Sequence, residues 1–320
     1  LIPGGLVPII DWSFHSTAKA QRQEVVVKGE LVRVWTEDEL QLQGLYCAPH
    51  EETGLPAVFH IHGASSNFYR SQFLDPLAEE LGGRGVAFLT ANTRGHDIMN
   101  SVYSSDPTAS RRLGVALEIF EESPLDIAAW LDFLQGNGHP EVVLLGHSFG
   151  AHKAAFYCSE TSDPRVRGLI FMSPADQGLW VEAMGPEAER TLSWAIDKVS
   201  SGQGEALLDH GPAPYPMSAR TIHSLFVTAK PDIFRFGRPG DQWEVVSRLS
   251  CPILATMGTV AEFINVAPDV ALATLKAKAV SSPRCDTVVL KGAPHNYRGY
   301  ESEVTEAIVA WLEQHFGSSC

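Results

Sequence analysis

Between residues 57 and 172, short apolar runs and amphipathic stretches follow one another along the chain. Ala57 to Ile61 is an apolar run ending in His62-Gly63, the pattern of a strand buried on both faces. Phe73 to Leu81 has helical spacing, Val86 to Leu89 is again a strand, and Ile119 to Leu134 predicts an amphipathic helix. Val142 to Leu145, Ala151 to Tyr157 and Gly168 to Met172 predict strand, helix and strand. After a break the pattern resumes at Pro252 to Met257, continues through Thr287 to Leu290, and ends in a helix from about Ser302 to Phe316. Such alternation predicts an α/β fold with a parallel sheet covered on both faces. Ahead of it, around Val25 to Val27 and Leu40 to Tyr46, lie two β-rich stretches of the kind that open a mixed sheet with antiparallel strands.

The break, residues 177 to 247, carries Trp180, Trp194, Tyr215, Phe226, Phe234, Phe236 and Trp243 among many Gly and Pro residues. It reads as a cap inserted after the sixth strand, leaving 1–176 and 248–320 as the core domain. Most of these aromatics are expected to form the cap's own small core. Trp180, Met184, Trp194 and Phe234 are the candidates for walling a substrate pocket, because a lid over an open sheet edge is where an apolar substrate would be enclosed.

Composition narrows the class. The 320 residues, 44% hydrophobic and 19% charged, suit a folded protein with one core and an insertion. A formal net charge of -14 with no Lys/Arg cluster argues against nucleic acid and against an anionic membrane surface. Five cysteines form an odd set without C-x-x-C spacing or clustered histidines, so free thiols and no metal site are expected. The opening LIPGGLVPII is apolar but broken by Pro and Gly and lacks a basic start, which suits neither a signal peptide nor a membrane span; a cytoplasmic enzyme is expected.

The chemistry concentrates in four short segments. Gly146-His147-Ser148-Phe149-Gly150 matches G-x-S-x-G between a predicted strand and helix, so Ser148 is expected at a strained turn as a nucleophile, with the Phe149 N–H facing the oxyanion it would create. A serine hydroxyl needs a base, and His295 in Gly292-Ala293-Pro294-His295-Asn296 lies in the loop between the last strand and the last helix. His62-Gly63-Ala64 follows the third strand, where the Ala64 N–H is the expected second oxyanion donor. Asn92-Thr93-Arg94-Gly95-His96-Asp97 reads as a structural rim loop in which Arg94 and Asp97 could pair. His60, His147 and His152 are expected to pack rather than to act.

These segments, HGASSN, NTRGHD, GHSFG and GAPHN, occur in the order seen in the α/β-hydrolase superfamily, which the chain resembles from about Ala57 to Phe316. More narrowly, NFYRSQFLDPLAEEL and SPADQ are similar to small esterases that include siderophore (fusarinine-type) ester hydrolases. The resemblance implies a mostly parallel eight-stranded sheet, a Ser-acid-His triad, no cofactor and acyl-transfer chemistry on a small-molecule ester; it leaves monomer or homodimer open. The chain departs from the family at the acid. The usual G-x-x-D turn after the seventh strand reads Gly258-Thr259-Val260-Ala261, with alanine in the acid's place. Glu262, one residue later and one methylene longer, and Asp176, beyond the sixth strand, are the two replacements. Asp176 is slightly favoured because its turn has the length of the lost one.

The leading reading is hydrolysis of a carboxylic ester or lactone through an acyl-Ser148 intermediate with His295 as base. Thioester cleavage or macrocyclising acyl transfer is a second reading, and a non-catalytic ligand-binding protein, supported by Ala261, is the rival from another class.

Overall fold

The structure is a computed structural model that describes residues 27–317 except residues 107, 109, 210, 212, 239 and 241. Val25 and Val26 of the first expected strand, the opening LIPGGLVPII and Cys320 lie outside the described residues. The main sheet contains β1 (Glu30–Trp35), β2 (Gln41–Cys47), β3 (Ala57–Ile61), β4 (Phe88–Ala91), β5 (Val142–His147), β6 (Val166–Met172), β7 (Ile253–Val260) and β8 (Cys285–Pro294). Its spatial order is β1-β2-β4-β3-β5-β6-β7-β8. β2 pairs antiparallel with β1 and β4, and every later pair is parallel. The first strand therefore begins three residues beyond the expected Val27, where Val32 and Val34 alternate with exposed Leu31, Arg33 and Trp35 and pack on the core.

Helices α1 (Leu74–Gly83), α2 (Ser123–Gly136), α3 (Phe149–Thr161), α8 (Pro268–Lys278) and α9 (Glu301–Phe316) cover the sheet, with α4 to α7 in the insert. Side chains on a strand alternate between faces, so each strand feeds two cores. Phe59, Ile61, Leu144, Leu169, Phe171 and Met257 join residues of α2, α3 and α8 on one face. Val58, Val143, Leu145, Ile170 and Met172 join α1 and α9 on the other. The expected helix at 119–134 is divided, because Pro124 near the start of α2 favours a helix beginning there and a short 3₁₀ turn, Phe120–Glu122, precedes it. Two elements escaped the pattern reading: α8, which buries only Ala271, Leu272 and Leu275, and the hairpin of Asn100–Tyr103 with Ser110–Leu113, whose strands are mostly exposed.

The residues between β6 and β7, which include the segment expected as the cap, lie outside the main sheet. They form α4 (Gly178–Ala183), α5 (Glu187–Ser200), a two-residue ladder (Leu207–Leu208 with Met217–Ser218), α6 (Ala219–Ile222) followed by a π turn, and α7 (Glu244–Arg248). This insert docks on residues 116 to 121: Ser218 N and Thr221 Oγ1 donate to Ala116 O at 2.8 and 3.0 Å, and Phe120 N donates to Ser224 Oγ at 2.9 Å. Phe234, Phe236 and Trp243 share the core of the sheet face bearing α2 and α3. The expectation that the insert's aromatics form a core of their own is thus corrected for these three: the insert is too short to bury them by itself and shares the apolar surface beneath it.

Among the described residues Cys47, Cys158, Cys251 and Cys285 are free thiols. Burial pushes Cys47 and Cys251 up to about 11 and Cys285 up to about 12, so none is a ready thiolate. No described helix is long and apolar enough to cross a membrane.

Candidate active site

The parallel strands end at one rim, and Ser148, His295 and Glu262 meet there. Ser148 follows β5 and heads α3 with φ 54° and ψ −119°, a conformation costly for a residue with a Cβ and held by its neighbours. Gly146 and Gly150 make it possible. A Cβ on Gly146 would stand 2.4 Å from Gly150 O, and one on Gly150 would stand 2.1 Å from Ile61 O, so backbone occupies both places. Ser148 N donates to Met172 O at 2.8 Å, anchoring the turn to β6.

His295 emerges one residue beyond β8. Gly258 pairs with Leu290 but Val260 with Pro294, so β8 advances four residues while β7 advances two. The two extra residues form a bulge in the edge strand just before His295. From there His295 Nε2 lies 2.9 Å from Ser148 Oγ, and Nδ1 lies 2.7 Å from Glu262 Oε2. The second Glu262 oxygen accepts from Gly258 N and from Ser173 Oγ, both at 2.9 Å. Ala261 has φ 54°, and this left-handed residue turns the chain so that the following glutamate folds back over its own loop.

Asp176 does not reach the imidazole, which corrects the preference for it. Its carboxylate is fully buried and engaged by Arg238, with Nη2 at 2.6 Å from Oδ1 and Nε donating to Oδ2 at 2.8 Å, while Gly178 N donates to Oδ1 at 3.0 Å. Burial raises its carboxyl above the ordinary carboxylate value and the Arg238 guanidinium draws it back. Arg238 compensates the Asp176 charge where it stands and leaves little of it to stabilise an imidazolium.

The loop after β3 lies against Ser148. A Cβ on Gly63 would stand 3.0 Å from Ser148 Cβ and 3.2 Å from His147 O, so only glycine fits there comfortably. Ala64 follows on the loop, and Phe149 opens α3, whose first-turn N–H groups have no intrahelical acceptor. Around the site, Arg94 is fully buried among Asp126, Asp38 and Glu122, whereas Asp97 accepts from Asn67 Nδ2 at 2.8 Å. The expected Arg94–Asp97 pair is therefore absent, because Asp126 on α2 offers the guanidinium a bidentate partner.

The pocket candidates separate. Trp180 is half-buried and stacks on Phe263 with centroids 6.1 Å apart, and Phe263 meets the His295 ring edge-on at 4.7 Å. Phe234 is fully buried between His152, Phe171 and Phe236, so its candidacy as a pocket wall is withdrawn. Trp194 on α5 packs against the main core, and Met184, half-buried, follows α4. The reading from sequence missed Tyr297, Ser173 and Phe263, and expected His147 only to pack. His147 Nε2 donates to His295 O at 2.9 Å; Tyr297 O–H bonds Ser173 Oγ at 2.9 Å and Thr256 Oγ1 at 2.8 Å; Ser173 braces Glu262; and Phe263 borders the imidazole. The one signal in the chain was position: each stands within two residues of, or directly beside, a site residue or strand end. Burial, then the neighbouring His295, holds His147 down to about 4, so it stays neutral and keeps a proton on one nitrogen only.

The alpha/beta hydrolase family model matches residues 58–311, nearly the whole span of the sheet beyond β2. The chain belongs to this family. No curated protein matches it in sequence. Among solved structures, this α/β hydrolase is similar to Est1E from Butyrivibrio proteoclasticus, 19% identical over 91% of this chain and 100% of that one, TM-score 0.60. The Pyrococcus furiosus esterase Pf2001 is 17% identical over 91% and 92% of the two chains, TM-score 0.59. The alpha/beta hydrolase GrgF from Penicillium sp. sh18 is 13% identical over 91% and 100%, TM-score 0.64. At these identities the likeness is one of fold. Nothing in the comparisons supports the narrower likeness to siderophore ester hydrolases.

Proposed function

We propose that this α/β hydrolase cleaves a carboxylic ester or lactone through an acyl-Ser148 intermediate. The observation that carries this reading is the continuous relay of Ser148 Oγ, His295 and Glu262, with contacts of 2.9 and 2.7 Å, on a turn of positive φ. Ser148 Oγ attacks the ester carbonyl while its proton passes to His295 Nε2. The imidazolium so formed is stabilised through Nδ1–H by Glu262, whose other oxygen is held by neutral donors and keeps its charge available. The Ala64 and Phe149 N–H groups receive the oxyanion. Collapse of the tetrahedral adduct releases the alcohol with the proton from Nε2. Water, deprotonated by the same nitrogen, then attacks the acyl carbonyl and frees Ser148 and the acid.

Trp180 and Phe263 would wall the apolar part of the substrate: Phe263 meets the His295 ring edge-on, stacks on Trp180 and keeps 40% of its surface exposed. The binding-only reading drew its support from Ala261, and the Glu262–His295 contact removes that support. The test is hydrolysis of p-nitrophenyl esters by the unmodified chain and by Ser148→Ala, with fluorophosphonate labelling of both. Hydrolysis and stoichiometric labelling at Ser148, both abolished in the variant, are expected. Undiminished hydrolysis by Ser148→Ala sinks the reading.

A further inference from the structure

A chain of buried polar groups runs from α3 to the loop that lies on Ser148. Lys153 on α3 and Glu118 form an ion pair in which both side chains are 1% exposed. Lys153 Nζ also donates to Thr93 Oγ1 at 2.9 Å, and Thr93 offers His62 Nε2 both its hydroxyl and its backbone N–H, each at 3.1 Å. On the far side of the ring, His62 Nδ1 lies 2.8 Å from Gly63 O. A carbonyl oxygen can only accept, so the proton sits on Nδ1 and Nε2 is the acceptor. Burial, with the Lys153 charge next, holds the His62 imidazole well below its ordinary value, so the ring stays neutral and the direction of the chain is set.

The end of this chain bears on catalysis through covalent geometry. Gly63 C=O and Ala64 N–H belong to one planar trans peptide unit, in which the two groups point in opposite directions. Clamping the oxygen against the buried His62 ring turns the Ala64 N–H away from that ring. A second donor, Ser66 N at 3.2 Å, holds the same oxygen. The loop cannot relax backwards, because Gly150 at the start of α3 touches Ile61 O and His62 O so closely that a Cβ would not fit. An ion pair excluded from water is costly to form and rigid once formed. It makes a firm anchor for a hydrogen-bond donor that has to be aimed before charge develops.

The geometry points to His62, Thr93 and Lys153, with Glu118 behind them, as positioning residues that orient the Ala64 N–H toward the oxyanion at Ser148. This rests on the acyl-serine reading above. None of the four touches the reacting atoms; they act through the Gly63–Ala64 peptide.

The test compares the unmodified chain with His62→Leu, which loses the donor, and His62→Asn, whose side-chain NH₂ stands near the place of Nδ1. Steady-state hydrolysis of p-nitrophenyl butyrate and inhibition by a trifluoromethyl ketone, which forms a tetrahedral oxyanion on the serine, are the readouts. In His62→Leu kcat falls about 10- to 100-fold with KM within about threefold, and the inhibitor constant rises by the same factor as kcat falls. His62→Asn recovers most of both. Thr93→Val, which keeps the shape and removes the hydroxyl bridge, loses about 3- to 10-fold in kcat, and Thr93→Ser restores it. Should His62→Leu fail to fold, the Thr93 pair decides. Wild-type kcat and inhibitor affinity in a folded His62→Leu, a His62→Asn no better than His62→Leu, or an unaffected Thr93→Val would overturn the proposal. The Ala64 amide ¹⁵N–¹H resonance needs no turnover: it shifts in His62→Leu and returns in His62→Asn, and an unmoved resonance overturns the positioning role whatever the chain hydrolyses. A chain inert to esters and to fluorophosphonate, whose Ala64 resonance still responds, instead overturns the acyl-serine reading alone.

Discussion

Asp176 follows β6 and Glu262 follows β7, adjacent parallel strands whose loops are tied together by Asp176 N donating to Phe263 O at 2.9 Å. Both carboxylates are almost entirely buried, yet they differ in what else binds them. Asp176 is paired through both oxygens with one cationic donor, Arg238 of the insert, and its charge is compensated on the spot. Glu262 is held by a hydroxyl and a backbone N–H, which satisfy one oxygen without cancelling the charge and leave the other facing His295. The difference teaches that burial near a histidine is not enough to make a carboxylate its partner. What counts is whether a charge remains to answer the imidazolium, and that depends on residues as distant in sequence as Arg238.

Substitution at the two rims is the sharpest way to break this comparison. Glu262→Gln keeps the shape and removes the charge, and kcat is expected to fall by about 10³- to 10⁴-fold in p-nitrophenyl ester hydrolysis. Asp176→Asn is expected to leave kcat within about threefold. The reverse ranking would restore Asp176 as the acid. Next in size is Arg238→Met, which strands Asp176 in the interior. Denaturant unfolding should show a loss of about 3 kcal/mol, with kcat per folded molecule little changed.

Moving the carboxylate sharpens the same point. In Ala261→Asp combined with Glu262→Ala, the acid returns to the place where the family carries it. Aspartate tolerates the left-handed backbone at position 261 better than most residues. Recovery of about tenfold or more in kcat over Glu262→Ala alone is expected. No recovery would mean that the turn after β7 is shaped for the longer side chain at position 262.

The smallest effect concerns two buried histidines, His147 and His60. His147 donates to His295 O, and His60 on β3 has Thr90 Oγ1 2.9 Å from its Nδ1. Desolvation on burial, the largest cause for both, holds them at about 4 and about 3 against an unfolded value of 6.5. Above about pH 7 both are neutral in either state and add no pH dependence. As pH falls from 6.5 toward 4 the unfolded chain takes up protons that the folded chain refuses, so stability falls by about 1 kcal/mol per pH unit for each ring. Urea unfolding between pH 7 and pH 5 should show this decline, and His60→Gln should flatten it by one ring's share. An unchanged slope would place the acid sensitivity elsewhere.

Much of the site was legible because its parts are local. G-x-S-x-G needs nothing beyond five residues and a strand-to-helix context, since the glycines exist to let Ser148 turn. His295 was legible from its loop after the last strand. The acid was not, because Ala261 and Glu262 differ from the usual turn by one residue, and a shift of one is decided by a bulge on the neighbouring strand β8. Nor could sequence assign Phe234, an aromatic in a loop-rich segment, to the core rather than to a pocket, since that depends on which surface the insert meets.

By itself, then, the chain's order of apolar and polar positions predicted the alternation of strands and helices and the parallel sheet, and its short motifs singled out Ser148 and His295, which face each other at the rim. Short-range periodicity and backbone sterics are enough for that. Which carboxylate carries the charge, which histidines merely brace their neighbours, and where the aromatic side chains come to rest were decided only in three dimensions. These depend on pairings between segments far apart in sequence, where a competing guanidinium, a bulge or a shared core decides among residues that look alike along the chain.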